Sequence, residues 1–266
     1  MITKKNKILI LLDGSEESEK SLDFIINTKI FKYDQIVLFF VLNPFNPVTK
    51  GQEKEVLYND FVHDHGKRLA TLYVEKLENF IISKDLGIEI THNIVNSKDN
   101  LQSRLSLGDI DLTVCSIKVS NNIDFILNKS KYVNYLIGTS GSVFIFPSDY
   151  NFFLERKNNL ILNFSKSIRP KYFFDTHDIL NIDKFSILYS KNEKNNLENL
   201  LKNIDKKFQI EIFLNNKSNL KNIYNMNKNF NIIRQDSHKK NNLFTSLYNN
   251  SRYNYLGDNT PVYFKS

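Results

Sequence analysis

The segment Ile8 to Leu22, ILILLDGSEESEKSL, ends an apolar run on Asp13, Gly14 and Ser15 and passes at once into a helix-like pattern. A carboxylate, a glycine and a hydroxyl at such a junction are residue types that open a nucleotide site, where a helix N-terminus offers unpaired amides to an anion. The same residues have a plainer use. Ser15 and Ser18 are suited to cap the helix, and Glu16, Glu17 and Glu19 fall at the positive end of its dipole. Other chemistry is thin. His63 and His65 lie two apart, about 200° around a helix from each other, and are poorly placed to share a metal ion. His92, His177 and His238 have no carboxylate or cysteine partner at ligand spacing. There is no G-x-S-x-G, Walker-type loop or cysteine pair, so no catalytic constellation emerges and the chain reads as a non-enzyme.

The elements that must position Asp13 follow from hydrophobic period. Ile8 to Leu12 are continuously apolar, the pattern of a strand covered on both faces, and Leu22, Ile25, Ile26 and Ile30 then recur at helical spacing. Gln35 to Pro44 reads as a second strand. Glu53 to about Lys84 reads as a long helix with Leu57, Phe61, Leu69, Leu72, Leu77, Phe80 and Ile81 as its apolar stripe and Gly87 as its terminator. Ile88 to Val95, Ile110 to Ser116 and Ser142 to Pro147 are further strands, with helices at Asp99 to Leu107 and about Lys129 to Ile137. Five strands with intervening helices predict a doubly wound α/β domain that takes ligands beyond the carboxyl ends of its strands.

The second half reads as a worn copy, with strands at Asn159 to Ser167, Lys184 to Asn192, Phe208 to Leu214, Phe230 to Ser237 and Thr260 to Lys265 and a short helix at Leu197 to Ile204. The expected organisation is two tandem five-stranded parallel-sheet domains, 1–148 and 159–266, the second reduced. The 266 residues are 41% hydrophobic, enough for real cores, and no apolar run approaches the roughly 20 residues that span a bilayer. With a single cysteine, Cys115, in an apolar strand, the expectation is a cytoplasmic protein with Cys115 in its core. The net charge of +7 is uneven: residues 1–150 hold 17 basic and 19 acidic side chains, and residues 151–266 hold 19 and 10. A half at +9 attracts nucleic acid or an acidic partner, although a solvated lysine surface is the plainer reading and the one expected here.

Over residues 6–147 the chain resembles the universal stress protein family, on ILILLDGSEESEKSLDFI, the long second helix, DIDLTVCS as fourth strand and KSKYVNYLIGTSGSVFIFP at the end. The resemblance implies a Rossmann-like five-stranded parallel sheet. In ATP-binding members it also implies G-x2-G-x9-G-[S/T] after the fourth strand, because glycines let backbone amides approach the phosphates. Placed without gaps, the motif falls on Ser116, Val119 and Lys129 at the glycines and Ser130 at the final Ser/Thr. β-Branched Val119 resists positive φ, and Lys129 puts a long cation where the family has bare backbone. Asp13, beside Gly14, matches the position that contacts adenosine, and Val41 matches the second strand. In the second half Ser165 and Lys166 replace Asp13 and Gly14, and Gln235, His238, Tyr248 and Asn249 fall on the motif.

The expected function is a stress-response binding or regulatory module of the non-ATP-binding type, without a cofactor and with a protein partner the sequence does not identify. One alternative is an ATP or AMP sensor using Asp13, Gly14, Val41, Ser116, Val119, Lys129 and Ser130. Another is a nucleic-acid or acidic-partner adaptor working through the basic half. In the family the fifth strands of two domains pair edge to edge, which implies an intrachain pseudo-dimer through SVFIFP and TPVYFK, with a homodimer as a further assembly.

Overall fold

The computed structural model describes residues 6–42, 53–95, 98–117, 136, 142–147, 150–154, 156–163, 180–202, 209–216, 218–219, 222–223, 230–237 and 261–265. The strands are β1 (Lys7–Leu12), β2 (Gln35–Val41), β3 (Glu89–Val95), β4 (Leu112–Ile117), β5 (Ser142–Pro147), β6 (Lys157–Asn163), β7 (Lys184–Tyr189), β8 (Gln209–Leu214), β9 (Phe230–Ser237) and β10 (Val262–Lys265). The helices are α1 (Glu16–Thr28), α2 (Glu53–Ile82), α3 (Lys98–Ser106) and α4 (Lys194–Leu201). All ten strands join one sheet in the order β3-β2-β1-β4-β5-β10-β9-β6-β7-β8. Each half therefore repeats the order third, second, first, fourth, fifth. Pairing is parallel within each half and antiparallel only between β5 and β10.

Continuous apolar runs produce this sheet because both of its faces are covered. Ile8, Ile10 and Leu12 pack on one face with α1 and α2, and Leu9 and Leu11 pack on the other with Leu101 and Leu105 of α3 and with Leu136. Cys115 is buried on the second face, as its strand context predicted. The α2 stripe differs from the sequence expectation. Ala70, Val74, Leu77 and Ile81 face the sheet, whereas Leu69 and Leu72 are 55% and 63% exposed. The reason is that two apolar stripes overlap on this helix, and hydrophobic period alone cannot choose between them. The side chains of Leu57 and Phe61 lie outside the described residues, as does the expected helix at Lys129 to Ile137 apart from Leu136.

Matching polar pairs start both halves. Asp34, just before β2, accepts from the Asn6 N–H at 2.8 Å and donates its own N–H to the Asn6 carbonyl at 2.9 Å. Asp183, just before β7, does the same with Asn158, at 2.8 and 3.0 Å. Lys184 is buried and satisfied by Glu211 at 2.6 Å on the neighbouring β8.

Two contacts join equivalent positions of the halves. Phe144 of β5 stands opposite Tyr263 of β10 in the same core, and the Tyr263 hydroxyl lies 3.2 Å from Ser142 Oγ. Phe31, four residues before β2, forms an antiparallel bridge with Leu180, four residues before β7. The Asn181 N–H donates to the Ile30 carbonyl at 2.6 Å, and the Asn181 side chain donates to the Lys29 carbonyl at 3.2 Å. Contacts between like positions are the mark of a twofold arrangement. Phe24, Phe31, Phe144, Phe146, Tyr150 and Phe152 fill the core beside this seam with stacked and edge-to-face rings.

Candidate functional site

The site begins where β1 stops. Gly14 turns the chain at φ +79, and Ser15, in extended conformation, caps α1 by accepting the Ser18 N–H at Oγ, 3.2 Å. Asp13 closes the turn from the other side. Its Oδ1 accepts from the Ser15 N–H at 3.0 Å and from the Ser15 hydroxyl at 2.5 Å. The Ser18 hydroxyl donates to the Ser15 carbonyl at 2.8 Å, and Glu16, Glu17 and Glu19 occupy the first turn as the dipole favours. The Ser15 and Ser18 amides are thus met by local side chains, and three carboxylates stand in the first turn beside them.

Strand register decides which other expected residues come near. Leu12 pairs with Phe40, and Ile10 pairs with Val114, so Ser116 stands level with Leu12 and Val41 one step past Phe40. Asp13, Gly14, Val41 and Ser116 accordingly gather at the carboxyl edge of the sheet. Val41 and Ser116 are half-buried there, and Val41 packs beside Val95. Val119, Lys129 and Ser130 lie outside the described residues. In the second half Gln235 sits in β9 opposite Leu162 and Tyr263, while Ser165, Lys166, His238, Tyr248 and Asn249 lie outside the described residues.

Two aromatic residues complete this corner and were not anticipated. The Phe40 ring comes within 3.6 Å of where a side chain on Gly14 would begin, and Tyr73 of α2 meets Phe40 edge-on with centroids 5.6 Å apart. Burial pushes the Tyr73 phenol up to about 12; Glu19 and Asp13 add to the rise, and Ser18 opposes it. Tyr73 therefore stays neutral beside the α1 N-terminus, filling space rather than supplying charge. The only sequence signal for it was its place next to Val74 on the inward side of the helix. Among the described residues no three His, Cys, Asp or Glu side chains converge as metal ligands, and no helix is long and apolar enough to cross a membrane. His65 is exposed, and His92 pairs with Glu78 at 2.6 Å.

No family model and no curated protein matches the chain. Solved structures do. A universal stress protein from Archaeoglobus fulgidus aligns at 13% identity and TM-score 0.66, covering 98% of this chain and 96% of its own. The cytoplasmic domain of a prokaryotic cation chloride cotransporter aligns at 11% identity and TM-score 0.55, covering 98% and 95%. At such identities the likeness concerns fold, and it runs through both halves. The strand order, the covered parallel sheet and these alignments together give the chain the α/β, Rossmann-like fold of the universal stress proteins.

Proposed function

We propose that the chain is a non-enzymatic, cytoplasmic binding or regulatory module of the universal stress protein type, which does not hold ATP through a glycine-lined phosphate cradle. Residues 1–148 and 159–266 act as its two units, arranged as a pseudo-dimer within one chain and presented to a protein partner. One observation carries the reading: Asp13 Oδ1 accepts from the N–H and hydroxyl of Ser15, so this oxygen holds the turn that leads into the cap of α1. Ser116, Val119 and Lys129 at the glycine positions point the same way, since side chains there hold a triphosphate away from backbone amides.

The test is titration calorimetry of the full chain with magnesium ATP. The expected result is no heat of binding up to about 1 mM nucleotide, a concentration at which even a contact of about 4 kcal/mol registers. Micromolar affinity that disappears in Asp13→Ala overturns the reading in favour of a nucleotide sensor.

A further inference from the structure

The long helix α2 outruns the sheet that it covers. Its 30 residues extend about 45 Å, whereas seven-residue strands such as β2 and β3 reach about 23 Å. Among residues with described side chains, Ala70 is the first on this helix to be buried. Exposed Leu69 and Leu72 stand beside it on a different face, and exposed His65 and Lys76 extend their row at the 4-3-4 spacing of a helix–helix seam. Flanking the two leucines on the solvent side are Arg68 and Glu75, both exposed and opposite in charge.

We infer that this face of α2 binds the same face of a second copy of the chain, with the two helices antiparallel about a twofold axis near residues 70 and 71. In that arrangement Leu69 of each copy packs on Leu72 of the other, and Arg68 meets Glu75 twice, once on each side of the axis. A parallel pair would instead face Arg68 and Glu75 with Tyr73 and Phe80 of the other helix, leaving both charges without an opposite partner. Charge thus selects both the orientation and the partner, because a self-complementary strip is what an isologous contact requires. The β5 edge is unavailable for this purpose, being paired to β10 inside the chain. The inference stands apart from the proposed function, which gives α2 no binding role.

Sedimentation velocity of the full chain from about 1 to 200 µM tests it, the range in which a small leucine-centred interface assembles. The expected result is a monomer–dimer equilibrium. Leu69→Glu with Leu72→Glu keeps the protein monomeric with an unchanged circular dichroism spectrum, since both side chains are exposed. Arg68→Glu and Glu75→Arg each weaken the dimer about tenfold, and the two together restore it to within about threefold, the scale of paired surface charges. A wild-type monomer at the top of the range overturns the inference. So does a dimer that survives the leucine changes, or a double charge reversal that fails to recover.

Discussion

Gly14 shows how a single residue fixes the candidate site without serving as a ligand. At φ +79 it holds a conformation that an L side chain enters at about 1–2 kcal/mol. The nearest atoms, on Phe40 at 3.6 Å, are at ordinary contact distance, so the cost of Gly14→Ala lies in the backbone. The expected outcome is a melting temperature lower by about 2–4 °C for each kcal/mol in a chain of this size. A variant melting with the wild type would show that the turn relaxes. The turn and cap were legible in sequence because Asp13, Ser15 and Ser18 act on backbone two or three residues away. Tyr73 was not, since its role exists only where α2 crosses the first turn of α1. Leu69 and Leu72 were misassigned to the inward stripe for a related reason: a 3.6-residue period identifies a helix, and the contact with the sheet then chooses Ala70 and Val74 over their neighbours.

Elements are held in register by polar residues at their ends. The Asn6–Asp34 and Asn158–Asp183 pairs start equivalent strands in both halves, a repeat that weak similarity between the apolar runs concealed. At the amino end of the sheet, Asp109 binds Arg104 of α3 and accepts from Lys7 Nζ of β1 at 2.7 Å, while Asp111 accepts the Lys7 N–H at 3.0 Å. Hydrogen bonds from Arg104 hold the Asp109 carboxyl well below the usual carboxylate range; burial opposes this and Lys7 assists. A carboxyl depressed in the folded state stabilises above its unfolded value of about 4, and that stabilisation is lost as pH falls from there toward the depressed value. Asp109→Asn should therefore melt below the wild type at pH 7, with the gap narrowing toward pH 3. The effect is modest because the carboxylate is 39% exposed and screened by water. A gap that is constant across this range would assign the loss to packing instead.

At the scale of the molecule, the decisive feature is that one sheet serves both halves. The strand composition of each half was visible in the apolar runs, and antiparallel β5–β10 pairing answers the need of two apolar edges to satisfy their amides and carbonyls. The second contact, at Phe31 and Leu180, left no sequence signal, because a single bridge between loops has no period to read. Together the contacts merge the cores: Phe24, Phe31 and Phe144 from the first half pack in one cluster with Leu160, Leu180, Phe185 and Tyr263 from the second. Residues 1–150 expressed alone would uncover the β5 edge and several of these side chains, each worth about 1.5–3 kcal/mol when buried. The expected product is a homodimer that re-pairs β5 with a second β5, or an aggregate, read by light scattering behind size exclusion. To separate this from association through α2, the same fragment is made with Leu69→Glu and Leu72→Glu, which leaves β5 untouched and should not abolish its assembly. A stable, monodisperse monomer from that fragment would mean that the first half closes its own edge, and that the seam with β10 contributes little to holding it folded.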